Sequence, residues 1–353
     1  MLITLGIETS CDDTSICVLE TQSSGSPRVL SHNSFSSEKV LKKWGGVVPE
    51  IAARNHLEKI TPLLSVCLEE ANISLEKIDQ IGVTTNPGLL GPLLTGINTA
   101  KTISLLKKLP INPVNHLYAH LEAIHLTEDL SYPYLGLLFS GGHSLFCLVE
   151  GPTSFKVISS TVDDAAGEAF DKGGKLLGLT YPAGREIDER SKKGNKQKYS
   201  FPIGLKHSKD GKMSFSGVKT SLRRLVETTP NILKDQNEIN DVCASYQEAI
   251  VQAINLKTKE VLNLIDRSND LPLVLGGGVA CNSRLRAVLK ENFSNVFLVK
   301  PSFCTDNGAM IANYAARTPE HSIKFPECLA IDARNRFVPK KSNEKRRQQG
   351  PVV

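Results

Sequence analysis

The strongest constraint on the fold of this chain is a pattern that occurs twice: a short β-like run, a polar turn, and a second β-like run. Residues 2–7 and 15–19 flank Glu8-Thr9-Ser10-Cys11-Asp12-Asp13-Thr14, and residues 134–139 and 144–150 flank Ser140-Gly141-Gly142-His143. Between the two hairpins the apolar spacing predicts a helix over 52–71, a strand over 78–84 and a helix over 93–106. A buried strand over 111–114 and a helix over 115–125 follow. After the second hairpin come a helix over 240–265 and a strand over 271–275. Alternation of this kind defines an α/β protein, and the repeated opening predicts two lobes built alike.

Length agrees, because 353 residues exceed the roughly 250 at which one core usually gives way to two. The expected division is an N-terminal lobe over 1–130 completed by 306–335, a C-terminal lobe over 131–305, and a disordered basic tail over 338–353. Residues 184–238, rich in Lys and Gly with weak periodicity, read as an insertion or a mobile surface region.

The most apolar stretch, 134–149, is cut by Ser140, Gly141, Gly142 and His143, so no run reaches the ~18 apolar residues of a membrane span. The chain opens directly on a β-like run, which predicts a cytoplasmic protein, or a mitochondrial one if a transit peptide has been trimmed. Eight cysteines without a CxxC pair give neither a disulfide framework nor a thiolate zinc site. The net charge of +5 is uneven: Lys42 and Lys43, Lys107 and Lys108, Lys192 through Lys198, Arg223 and Arg224, and the 340–347 tail form basic clusters that suit a phosphate backbone.

Chemistry concentrates at a few places. His116 and His120, four apart on an expected helix, present both imidazoles on one face, where they can chelate one cation. Asp306, in a turn before a helix, is the candidate third ligand. Two imidazoles and a carboxylate leave coordination positions open and suit Fe(II) or Zn(II). The sequence argues against the rival reading of a metalloprotease, since HExxH needs Glu directly after the first His and Leu117 stands there.

Three Gly- or Ser-rich turns end strand-like runs: 8–14, 140–144, and Gly276-Gly277-Gly278-Val279-Ala280-Cys281-Asn282. Their freed amides can converge on phosphate oxygens, which predicts a nucleotide cleft. Neither GxxxxGK[ST] nor a strand-anchored GxGxxG occurs. Asp163 through Lys172 and Asp188 add carboxylates able to accept hydrogen bonds from ribose or amino-acid hydroxyls.

Taken together, Gly6-Ile-Glu-Thr-Ser-Cys-Asp-Asp-Thr14, Gly45-Gly-Val-Val-Pro-Glu50, His116-Leu-Tyr-Ala-His120, Ser140-Gly-Gly-His143, Asp164-Ala-Ala-Gly-Glu-Ala-Phe-Asp-Lys172, Ser214-Phe-Ser-Gly-Val-Lys-Thr220 and Gly276-Gly-Gly-Val-Ala280 resemble the TsaD-type tRNA N6-adenosine threonylcarbamoyltransferase family from about residue 3 to 318. The resemblance implies the actin/Hsp70/sugar-kinase (ASKHA) fold, two ribonuclease-H-like lobes around a nucleotide cleft. It implies transfer of threonylcarbamoyl from threonylcarbamoyl-AMP to N6 of adenosine 37 in tRNAs reading codons that start with A, giving t6A and AMP.

Carried over by position, the family's divalent metal, Fe(II) or Zn(II), falls on His116, His120 and Asp306. Its adenylate contacts fall on Leu138, Phe139, Ser140, Gly141, Gly142, Asp171, Gly184, Asp188 and Asn282. The implied partners are tRNA and either a second copy or a paralogous TsaB-like subunit with a small TsaE-like ATPase. Attack by the weakly nucleophilic N6 amine needs one proton acceptor, for which Asp12 is the candidate. Pro182-Ala183-Gly184-Arg185 departs from the commoner Pro-Gly-Gly-Pro. The alternative from another class is a nonenzymatic nucleotide-binding scaffold.

Overall fold

The structure, a computed structural model, describes residues 1–22, 26–37, 44, 46–265 and 270–334. The 338–353 tail, Lys42 and Lys43 lie outside these.

Two five-stranded sheets carry the fold. In the first, β1 (Leu2–Glu8), β2 (Asp13–Thr21), β3 (Arg28–Ser36), β4 (Gln80–Asn86) and β5 (Ile111–Asn115) lie in the order β3-β2-β1-β4-β5. In the second, β6 (Tyr134–Phe139), β7 (Ser144–Gly151), β8 (Ser154–Ser160), β9 (Leu273–Gly276) and β10 (Val296–Leu298) lie in the order β8-β7-β6-β9-β10. Each sheet opens with two antiparallel pairings, β1 on β2 on β3 and β6 on β7 on β8, and continues with two parallel ones. The order and the senses are the same in both lobes, so the repeat seen in the hairpins extends to whole sheets.

Central strands such as Tyr134–Phe139 are buried along their length, as parallel sheets covered on both faces require. Edge strands β3 and β8 are largely polar and half exposed, which is why hydrophobic patterning gave no sign of them.

The helices are α1 (Pro49–Ala71), α2 (Leu90–Lys107), α3 (His116–Glu122), α4 (Ala166–Leu176), α5 (Gly184–Ser191), α6 (Ser216–Thr228), α7 (Gln236–Leu264), α8 (Ser283–Asn292) and α9 (Gly308–Arg317). Period-two alternation in the first sheet sorts its side chains: Ile16 and Val18 join the core under α1 and α2, while Cys17 and Leu19 join the larger core of α3, α9 and the second lobe. α3 and α9 therefore lie inside the protein, between the sheets. Close approach of α9 to β1 and β4 depends on missing side chains: a Cβ at Gly6 would lie 2.2 Å from the Gly308 carbonyl, and one at Gly82 would lie 2.6 Å from Ala315 Cβ.

Two expectations are corrected. Residues 184–238 are not a loose insertion, because α5, α6 and the loops around them are anchored through Ile187, Phe215, Val218, Leu222 and Ile232, all buried in the second lobe's core. Short helices broken by loops scatter these anchors and leave little periodicity to read. The helix over 115–125 is shorter than expected: α3 ends at Glu122 and passes into a 3₁₀ turn at Ala123–Leu126. Among the described residues, no helix is long and apolar enough to cross a membrane.

Candidate metal centre and nucleotide cleft

Asn115 starts α3 by accepting hydrogen bonds from the Leu117 and Tyr118 amides, which places His116 in the first turn and His120 one turn later. Asn307 caps α9 in the same way, through the Met310 amide, and so fixes Asp306 just before that helix. The two helix starts meet. Nε2 of His116 and Nε2 of His120 are 3.1 Å apart, and Oδ1 of Asp306 lies 3.2 Å from the second and 3.4 Å from the first.

Three donors each ~2.1 Å from one ion would stand about 3.0 Å apart at octahedral angles and about 3.4 Å apart at tetrahedral ones, so this triangle fits a single first-row cation. The donor set of two borderline nitrogens and one hard oxygen suits Fe(II) or Zn(II).

A residue that the sequence placed in the 8–14 polar turn, without a role at the metal, completes the centre. Glu8, fully buried at the end of β1, sets Oε2 3.0 Å from Nδ1 of His116 and accepts hydrogen bonds from the Ser10 amide and the Thr84 hydroxyl. A carboxylate behind a ligating imidazole fixes the tautomer that directs Nε2 at the ion. The signal was present as an acidic residue closing an apolar strand.

Burial alone would raise the Glu8 and Asp306 carboxyls, but the His116 imidazole between them holds both below the ordinary carboxylate range. Burial alone would lower His116, and the charges of Asp306 and Glu8 push it well above the usual value. Burial and the charge of His116 both lower His120. His143, from the Ser140–His143 turn, is pushed down to about 4 by burial and then by His116 and His120, which places it in the field of the same centre.

Beside the metal ligands, the Gly-rich turns come together. Gly277, at φ +87°, lies where a Cβ would stand 2.5 Å from the Phe139 carbonyl, and a Cβ at Gly276 would stand 2.7 Å from the His120 carbonyl. α4 begins against the turn as well, since a Cβ at Gly167 would meet the Ser140 carbonyl at 2.6 Å. Around Gly141, Gly142 and Gly278 the space is open, with nothing within 4 Å of a built Cβ. Gly141, Gly142 and Gly278 thus stand unobstructed on two turns, the second of which packs on His120 through Gly276.

The other expected contacts are placed unequally. Leu138 and Phe139 have wholly buried side chains, so only their backbone can meet a ligand. Ser140 is buried, its hydroxyl accepting from the His143 amide. Asp171 accepts from the Ala183 amide, 2.8 Å away, beside Gly184 at the start of α5. Asp188 is committed to the Ser283 amide and hydroxyl, and Asn282 caps α8 through the Leu285 amide while donating to Gln247. Asp12 lies in the β1–β2 turn, and its charge reaches Asp171 and Tyr181 of the other lobe.

Burial, then the charges of Asp12 and Glu168, push Asp171 up to about 6. A carboxyl with a raised folded pKa binds its proton more tightly in the native state, so it costs stability as pH rises from 3.8 to 6 and keeps that cost above 6. Asp171→Asn, whose amide oxygen can still accept from Ala183, is therefore expected to be more stable than the parent at pH 7.5 by about 2 kcal/mol. The difference should shrink as pH falls below 6, and urea midpoints at pH 7.5 and below 3.8 measure it. Equal midpoints at pH 7.5 would refute this reading.

The basic clusters are partly neutralised. Lys192 pairs with Glu189, Lys196 with Glu248, and Lys198 with Glu238 and Asp241. Arg223 and Arg224 stand exposed on α6, outside every ion pair among the described residues.

Two lobes of identical strand order give this protein a fold of the ASKHA class. Solved structures agree on the fold: full-length HypF in its phosphate- and nucleotide-bound form matches 91% of this chain and 46% of its own at 13% identity, with a TM-score of 0.54. The activator of the 2-hydroxyisocaproyl-CoA dehydratase from Clostridium difficile, with bound ADPNP, matches 91% of this chain and 96% of its own at 13% identity, with a TM-score of 0.53.

Within that class the sequence is specific. Residues 28–313 match the family model described as TsaD, tRNA N6-adenosine threonylcarbamoyltransferase. Proteins of that name from Anaeromyxobacter sp. (strain Fw109-5) and Thermosipho africanus (strain TCF52B) are 42% and 44% identical over 87% and 88% of this chain, and over 92% of each relative. The chain belongs to the tRNA N6-adenosine threonylcarbamoyltransferase family, and it is a transferase that modifies tRNA.

Proposed function

We propose that this enzyme transfers the threonylcarbamoyl group from threonylcarbamoyl-AMP to N6 of adenosine 37, in tRNAs reading codons that start with A, releasing AMP. The observation that supports this reading best is the meeting of His116, His120 and Asp306, whose donor atoms all lie within 4.8 Å of one another, beside the Gly-rich turns. A divalent ion held there, Fe(II) in our reading and Zn(II) as the other candidate, supplies Lewis-acid polarisation of donor oxygens.

The protein's own groups do the rest. Amides of the Ser140–Gly142 and Gly276–Gly278 turns hold the adenylate phosphate, and Asp171 accepts from a substrate hydroxyl. In the transfer, N6 attacks the carbamoyl carbon, the bond from that carbon to the phosphate oxygen breaks, and AMP leaves with the electron pair. The amine proton passes to Asp12. An anhydride donor already has a good leaving group, so positioning carries most of the catalysis.

Adenosine 37 lies in a single-stranded loop, where turning a base out costs little. Arg223 and Arg224 contribute backbone contacts, so log affinity for tRNA is expected to fall linearly with log salt, and charge-neutral variants of both should flatten the slope by about two. An unchanged slope would remove α6 from the tRNA surface. The enzyme works in the cytoplasm, or in a mitochondrion, as a homodimer or with a TsaB-like subunit and a TsaE-like ATPase.

The direct test supplies threonylcarbamoyl-AMP and unmodified tRNA, then reads digested nucleosides by mass spectrometry. Product at N6 of adenosine 37 supports the reading, and its absence even with partner subunits added would favour a nucleotide-binding scaffold. Full activity of Asp12→Asn would strip Asp12 of its role.

A further inference from the structure

α3 carries His116 and His120 and ends at Glu122, while α9 follows Asp306 after the cap Asn307 and ends at Arg317. The two ligand-bearing helices meet again at these far ends. Glu122 is fully buried, and Arg317 Nε donates to its Oε2 at 3.0 Å. Tyr132 donates to the same oxygen at 2.7 Å, Tyr134 donates to Oε1 at 2.8 Å, and an Arg317 terminal nitrogen donates to the Tyr132 hydroxyl at 2.7 Å. Asn313, one turn earlier on α9, donates to the Glu122 carbonyl at 2.9 Å. Tyr134 opens β6, so the network joins α3 and α9 to the second sheet.

We propose that Glu122, Arg317, Tyr132 and Tyr134 form a clamp that positions the metal ligands by fixing the far ends of the two helices that carry them. The proposal rests on the metal reading above. At the ligand end Gly308 donates to Ser15 Oγ and a Cβ there would stand 2.8 Å from the Cys17 amide, a close contact that keeps its register only while the far end sets the direction of α9. α9 spans about 15 Å, so a tilt of about 2° at the clamp displaces Asp306 by about 0.5 Å, while on α3 the same tilt moves His116 by about 0.3 Å and His120, nearer Glu122, by less. Metal centres tolerate about 0.2 Å.

A buried carboxylate with three directional donors has one arrangement, whereas apolar packing at this point would admit several. The network is remote from the reacting atoms, so these are positioning residues.

The test uses the full chain stripped of metal. Zinc affinity is measured by competition with a chromophoric chelator, and cobalt(II) absorption reports the coordination geometry. Tyr132→Phe and Arg317→Lys, which keep bulk and charge, and Glu122→Gln are each expected to weaken zinc at least tenfold and to alter the cobalt spectrum, with the far-ultraviolet dichroism retained. Ile103→Ala, in the core under α1 and α2, serves as an equally destabilised control and is expected to keep the parent's affinity.

Variants within twofold of the parent, or a control that loses as much as they do, would overturn the clamp alone. A parent that binds neither zinc nor cobalt would overturn the metal reading and the clamp with it.

Discussion

A chain with both His116 and His120 replaced by alanine is expected to bind no divalent ion at this centre and to transfer threonylcarbamoyl at no more than about a thousandth of the parent rate, a loss of roughly 4 kcal/mol in transition-state stabilisation. The two imidazoles are two of the three donors, and their Nε2 atoms converge to 3.1 Å with the Asp306 carboxylate closing the triangle. One carboxylate cannot hold an ion by itself.

Both histidines are buried, and alanine at each leaves Glu8 and Asp306 facing one another's charge without the imidazole that holds them ionised. The variant should therefore be assayed where its fold is verified by dichroism, and metal content measured on the same sample. Transfer above about a tenth of the parent rate in a folded, metal-free variant would mean that the ion takes no part in the reaction.

Gly6→Ala is the second large effect. A Cβ at this point of β1 would lie 2.2 Å from the Gly308 carbonyl, 2.7 Å from the Ala312 amide nitrogen and 2.8 Å from Ala312 Cβ. None of these atoms is the end of a flexible side chain, so relief requires α9 to move off the sheet. The expected cost is about 3 kcal/mol, seen as a lower urea midpoint with an unchanged slope.

Because only the cap Asn307 separates Asp306 from α9, the same displacement should weaken metal binding. Gly217→Ala, on α6 where a Cβ meets nothing within 4 Å, is the matched control and is expected to gain about 0.5 kcal/mol from helix propensity. Gly6→Ala with the parent's midpoint would show that α9 is not in contact with β1 as described.

Local chemistry was enough to read much of this protein. Continuous apolar runs of central strands, the spacing of α1, α2 and α7, and polar turns at strand ends follow from side-chain pattern alone, so the duplicated α/β frame and its openings could be drawn from the sequence. The i, i+4 placement of His116 and His120 needs only a helix to bring the rings together, and their ring centroids are 4.5 Å apart.

What required tertiary structure is whatever depends on residues far apart in the chain. Polar edge strands β3 and β8 form because a neighbouring strand offers hydrogen bonds, and no apolar alternation announces them. The anchors of 184–238 become visible only against α4 and α7. Glu8 backs His116 across 108 residues, and Glu122 meets Arg317 across 195. An acidic residue carries no mark in sequence that separates a solvated charge from one buried against an imidazole or a guanidinium, because desolvation and pairing energies exist only once packing has excluded water and fixed the partner.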